Sequence, residues 1–270
     1  MLARDLYIWV VSGAALASCS SMPNAAKGPV LLDDFETMSG SLVATMPDDP
    51  RLKVVDGDGV DGGRALRVEY VGGPMGSERL VGSFPLPPAD EYTLNYDVRF
   101  GRDFQFVLGG KLHGFGPKRP VTGGRPLHPS GWSARVMWRE NGRAETYTYH
   151  QDQQGRYGEA GAANAPFRFQ PDRYYAVSLH VKINGSSGSR NGFVRLYIDG
   201  VLVESREDLR LRATNGSVGS ISAFLFSTFH GGNAPERAPR GRDGGYTNEI
   251  AYFDNFAVHA GEHVRRRPGS

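Results

Sequence analysis

The chain has one cysteine, Cys19, in 270 residues, so it can build neither an internal disulfide framework nor a multi-cysteine metal site. It also lacks an excess of either charge. Its 31 Lys and Arg face 29 Asp and Glu, and a formal charge of +2 gives no ground for a nucleic-acid partner. The basic ending VRRRPGS reads as a frayed end instead. No apolar run reaches the length of a confident membrane span. No stretch keeps a helical period for long, and there is no internal repeat.

What is abundant points to strands. The 36 glycines, 17 prolines, 12 tyrosines and 14 phenylalanines suit many short strands joined by turns and long loops. Alternation or apolar content places strands at 30–35, 52–55, 65–71, 79–86, 92–100, 105–112, 132–139, 145–150, 174–183, 193–198, 201–204, 220–228 and 249–260. LPPAD near 86–90 reads as a turn. Asn141-Gly142 and Asp199-Gly200 are strong hairpin signals. Three Gly-rich loops follow 112, 150 and 230, and loops of such length in a compact domain are usually functional or disordered. The expected fold is all-β, an antiparallel two-sheet β-jelly roll sandwich. Its first strand should lie beside AYFDNF near the chain end.

The N-terminus reads as an export signal: Arg4, a largely apolar stretch from Leu6 to Ala17, then small residues before Cys19. Leu16-Ala17-Ser18-Cys19 resembles a bacterial lipoprotein processing box, with Ser20 permitting outer-membrane sorting. The expected division is a signal peptide at 1–18, a tether at 19–29, the β domain at 30–260 and a flexible tail at 261–270. Cys19 would carry the lipid anchor. The protein is expected to be exported and outer-membrane-anchored, otherwise periplasmic or secreted. A monomer is expected.

Most of the chemistry-bearing residues lie between Gly109 and His150. In WSARVMWR, alternation puts Trp132, Ala134, Val136 and Trp138 on one face and Ser133, Arg135, Met137 and Arg139 on the other. In ETYTYH, Glu145, Tyr147 and Tyr149 share a face. If these strands pair, Ser133, Arg135, Tyr147 and Tyr149 form one patch that Lys111 can reach, and His113 shares the strand parity of Lys111. Such a set suits β-elimination on a uronic-acid polymer. Cations beside the sugar carboxylate stabilise the developing enediolate, and tyrosines serve as acid or base if nearby cations lower their pKa from about 10. No metal or cofactor is required. The alternative is a solvated sheet face, since Tyr and Arg are ordinary strand residues. Trp132 and Trp138 read as core, with a sugar platform as the other possibility.

Other chemistries find less support. Glu140 and Glu145 flank a turn, read as solvated, and make no paired-acid motif for glycoside hydrolysis. Ser133 lacks a nucleophile-elbow context. The seven histidines show no metal-ligand spacing, although His230 in STFHGG, at a strand end, is a candidate to join the site.

The segments GGKLHGF, GWSARVMWR, YTYH, VRLYIDG, STFHGG and YFDNF, spread over roughly residues 35–258, together resemble polysaccharide lyase family 14, the alginate and glucuronan lyases. The resemblance implies a β-jelly roll whose concave sheet forms the substrate groove, and endolytic β-elimination leaving an unsaturated uronate. It carries the family's functional Lys onto Lys111, its Ser and Arg onto Ser133 and Arg135, and its tyrosines onto Tyr147 and Tyr149. Arg139 and His230 are added as substrate-binding residues beside Ser133. The family often has Pro after GGKL; here His113 stands there, a possible further acid–base group. The preferred roles are Tyr149 or Tyr147 as acid–base, with Arg135 and Lys111 managing carboxylate charge. Lys111 as base is the second assignment, since its unperturbed pKa of about 10.4 keeps it protonated at neutral pH. A non-catalytic cell-surface carbohydrate-binding module is the alternative function.

Overall fold

Residues 28–37, 42 and 48–266 are described in the computed structural model. The expected signal peptide, Cys19, nearly all of the tether and residues 267–270 lie outside them. The first strands are β1 (Leu31–Asp33), β2 (Leu52–Asp56), β3 (Arg64–Tyr70), β4 (Gly72–Gly73), β5 (Gly76–Ser77), β6 (Leu80–Ala89) and β7 (Glu91–Phe100). Next come β8 (Gly109–Gly116), β9 (Ser133–Arg139), β10 (Ala144–Tyr149), β11 (Ala162–Ala163) and β12 (Tyr174–Lys182). The last are β13 (Gly192–Ile198), β14 (Val201–Leu209), β15 (Ile221–His230) and β16 (Glu249–Ala260). Among the described residues, no helix is long and apolar enough to cross a membrane.

The strands make a nine-stranded sheet in the order β11-β14-β13-β12-β7-β16-β3-β2, with β1 also on β16, and a five-stranded sheet in the order β10-β9-β8-β15-β6. All pairings are antiparallel, and Leu31 lies opposite Val258, so the two ends of the domain pair as expected. The inner faces supply one core. Leu94, Tyr96, Val98 and Phe100 of β7 and Phe253 and Phe256 of β16 are buried, as are Trp138, Phe224 and Phe226 from the five-stranded sheet and Trp132 just before β9. Ring contacts cross between the sheets, for example Phe100 to Trp138 at 5.5 Å. This is the packing of a β-sandwich.

Three details depart from expectation. The segment read as a turn, LPPAD, continues β6 to Ala89, which edge position permits because proline there forfeits no ladder bond. Strand β8 is bulged: Lys111 opposes Met137 and Gly114 opposes Arg135, so three steps on β8 match two on β9. Both intervening residues, Leu112 and His113, are fully buried. The expected tail does not start free at 261. Asn95 Nδ2 donates to the His263 carbonyl, the His263 N–H to Thr93 Oγ1 and the Arg265 N–H to Ser178 Oγ, while the Arg265 guanidinium pairs with Asp97 at 2.6 Å. These bonds strap the segment across the outer face of β7 and β12.

Candidate active site

The hairpin forms as its alternation and Asn-Gly turn require. Asn141 and Gly142 take φ of 56° and 72°, the left-handed pair that matches strand twist. In register, Ser133 faces Tyr149, Arg135 faces Tyr147 and Met137 faces Glu145. Lys111 of β8 joins opposite Met137. One outer face therefore carries Lys111, Ser133, Arg135, Met137, Arg139, Glu145, Tyr147 and Tyr149. Gly110 is needed here: a Cβ on it would fall 2.0 Å from the Trp138 ring, which underlies the start of β8.

The charges on this face are unevenly satisfied. Glu145, buried, takes Arg139 Nε at 2.6 Å through one oxygen and Arg143 at 2.7 Å through the other. Lys111 and Arg135 have no ion pair among the described residues, and Arg135 Nε lacks any hydrogen-bond partner. Lys111 Nζ lies 2.9 Å from Met137 Sδ and 3.2 Å from the centre of the Tyr147 ring. Burial pushes the lysine well below the usual ammonium range, and Arg135, Arg139 and Arg237 add to this while Glu145 opposes it. Burial likewise brings Arg135 down to about 10, partly offset by Tyr149 and Tyr147. Tyr147 moves the other way: desolvation and its neighbour Tyr149 raise its pKa despite Arg139. Cations nearby do not ionise this tyrosine, contrary to expectation, because burial outweighs them.

Two loops close over the far end of the face. Ser133 Oγ donates to the Val121 carbonyl at 2.7 Å, and the Gly124 N–H donates to Tyr149 Oη at 2.8 Å. The 150–161 segment is tied down by paired backbone bonds between Thr148 and Glu159, and by His150 Nε2 against Glu159 at 2.9 Å. The Tyr147 and Tyr149 rings meet edge to face at 5.6 Å.

Several expected site residues are elsewhere. His113 does not share the Lys111 face. The bulge turns it inward, its ring 4.4 Å from Phe226 and 4.7 Å from Phe253, with Nδ1 accepting the Ser227 N–H. Burial pushes its pKa well down. His230 is also internal, stacked on Phe104 at 5.2 Å with Nε2 against the Gln105 carbonyl at 2.8 Å, and its pKa falls to about 4. Glu145, read as solvated, is buried. Trp132 and Trp138 are fully buried core, so neither is a sugar platform. Met137 and Arg237 had drawn no role: alternation already set Met137 beside Arg135, whereas no local signal marks Arg237.

The comparisons agree with this geometry. The Polysaccharide lyase 14 model matches residues 64–256. No curated protein matches. Among solved structures, the alginate lyase Aly36B, as a variant with a lysine and a tyrosine replaced by alanine and in complex with alginate tetrasaccharide, is 25% identical at a TM-score of 0.65, covering 79% of this chain and 85% of that one. The PL-14 alginate lyase from Aplysia kurodai (24% identity, TM-score 0.64, 87% and 100% covered) shares the fold. So does the endo-β-1,4-glucuronan lyase from the fungus Trichoderma reesei (17%, 0.56, 86% and 95%). With the family match spanning well over half of its length, the chain belongs to the polysaccharide lyase 14 family.

Proposed function

We propose that the protein cleaves a uronic-acid polymer, alginate or glucuronan, endolytically by metal-independent β-elimination. In this reading the two sheets form a jelly roll and the outer face of the five-stranded sheet is the groove floor. The observation that carries the reading is the pairing of two shielded basic side chains without an ion pair among the described residues, Lys111 and Arg135, with the Tyr147–Tyr149 pair on one face. A polyanion supplies the missing negative charge.

The roles follow from the pKa directions. A lysine held below its usual range is available as a neutral amine, so Lys111 Nζ takes the proton alpha to the sugar carboxylate. Arg135 stabilises the charge that gathers on that carboxylate as the carbanion forms. The C4–O bond then breaks, a C4–C5 double bond forms, and the departing oxygen takes a proton from the tyrosine pair. Tyr147, whose raised pKa keeps its phenol protonated, is the part-exposed member of that pair. Tyr149, oriented by Gly124, fixes its partner. Ser133, whose hydroxyl proton goes to Val121, holds the loop over the site. The Aly36B variant, altered at a lysine and a tyrosine and solved with alginate tetrasaccharide, supports the same two residue types.

The test is incubation with polymannuronate, polyguluronate and glucuronan while following the ultraviolet absorbance of the unsaturated product. No absorbance from any of them, at neutral or alkaline pH, removes the lyase reading; saturable binding without it would assign a binding module. Export with acylation at Cys19 belongs to the same proposal. Cys19→Ala should abolish incorporation of labelled fatty acid, and unchanged labelling would refute the anchor.

A further inference from the structure

Beyond β15 the chain runs back past the lysine. The Gly231 N–H donates to the Gly109 carbonyl at 3.0 Å, and a Cβ on Gly231 would sit 3.6 Å from Gly110 Cα, so the loop starting at 231 lies against the two glycines before Lys111. A short 3₁₀ turn, Pro235–Arg237, then carries Arg237. Its side chain folds back over the glycines: Nη1 donates to the Gly231 carbonyl at 3.1 Å, and Cδ lies 1.6 Å from where a Gly232 Cβ would be. Gly232, at φ 139°, is the residue type that this approach allows.

The loop is held in place. Gln105 Nε2 donates to the Arg240 carbonyl at 2.9 Å and Gln105 Oε1 accepts the Arg240 N–H at 3.1 Å, while the Gln105 carbonyl faces His230 Nε2. Arg240 lies over Tyr246 at 4.0 Å, and the Thr247 N–H donates to the Pro239 carbonyl. A loop fixed at both stems presents a preset side chain at little ordering cost. Arg237 itself has no ion pair among the described residues, unlike Arg139 and Arg143, which share Glu145. Its charge is close enough to help depress Lys111.

We propose that Arg237 is a substrate-reading residue, contributed from the β15 side of Lys111, that binds the carboxylate of a uronate neighbouring the one cleaved. This rests on the lyase reading above. It makes His230 and Gln105 positioning residues for Arg237, which gives the buried histidine a part in the site without contact to substrate.

The test compares Arg237→Gln, Arg237→Lys, Gly232→Ala and Arg242→Gln on a polyuronate. Losing a charged hydrogen bond should raise KM by about tenfold with kcat within about twofold. Arg237→Lys should recover part of the loss. Gly232→Ala, which displaces the guanidinium without removing it, should resemble Arg237→Gln. Arg242 is exposed on the same loop, so Arg242→Gln should match the parent and control for net charge. In a Lys111→Ala background, adding Arg237→Gln should weaken binding of a charged oligouronate but not of its carboxyl-reduced counterpart. An unchanged KM for Arg237→Gln, an equal rise for Arg242→Gln, or equal loss on the reduced sugar overturns the proposal. If the parent forms no unsaturated product, the lyase reading fails, and the binding comparison still decides Arg237.

Discussion

The two outer faces of the sandwich use polar residues in opposite ways. On the nine-stranded sheet, charged and polar groups pair with one another: Arg265 with Asp97, His180 with Glu91, Arg195 with Glu207 and Ser178 with Asn95. On the five-stranded sheet, Lys111 and Arg135 are at least as shielded yet have no ion pair among the described residues, and Glu145 is taken by two other arginines. Leaving cations unpaired in a shielded place is costly. The difference teaches that one face is complete within the chain, whereas the other leaves basic groups for the proposed polyuronate to complete.

The largest effect expected is at Lys111. Lys111→Met should lower product formation by about 10²–10⁴-fold, the usual reach of a positioned acid–base group. Its melting temperature should hold or rise, because a buried amine that burial disfavours as a cation is removed. In the parent, activity should climb with pH through the depressed lysine pKa, since the amine acts only when deprotonated, and should plateau below its ordinary value of about 10.4. A plateau only above that value would sink the assignment.

Tyr147→Phe and Tyr149→Phe should each reduce kcat, and the double variant should be little worse than the poorer single one, as for groups acting as a unit. Multiplicative losses would mean that the tyrosines act separately.

A paired substitution sharpens the contrast between the faces. Arg265→Met should cost about 2 kcal/mol of stability in denaturant titration, by removing its bond to Asp97, with kcat/KM unchanged. Arg135→Met should do the reverse, lowering kcat/KM without loss of stability. If both behave alike, the faces do not differ as described.

A pH-dependent effect is expected at Glu249, buried where desolvation raises its pKa to about 7 from 4.5. Between those values the unfolded chain gives up its proton before the folded one, so stability falls as pH rises through the window. Glu249→Gln should remove that fall, gaining at most about 3 kcal/mol above neutrality and nothing at low pH. A gain that is equal at both ends would assign the effect to packing.

Much of the site could be read before the fold was known, because hairpins encode their pairing locally. Alternation and Asn141-Gly142 suffice to put Arg135 beside Tyr147 and Ser133 beside Tyr149. What escaped depends on events that alternation does not record. His113 was misplaced because one extra residue breaks parity in β8. Glu145 looked solvated because arginines at two other positions enclose it. The prolines of β6 suggested a turn, since edge position is a property of the assembled sheet. Arg237 lies more than a hundred residues from Lys111 in the chain, and its approach depends on a loop anchored by Gln105.

The bulge in β8 behaves as a reading frame does. Upstream of it the strand is phased to present Lys111 outward, and downstream it is phased to bury Phe115 and leave Gly114 and Gly116 against the site face. Deleting either Leu112 or His113 would leave two steps on β8 against two on β9, so Lys111 would stay outward and Phe115 inward on a strand without the bulge. The extra residue is therefore what lets two consecutive side chains, Leu112 and His113, enter the core. Loss of one residue there should keep Lys111 on the site face while removing one buried side chain from the core.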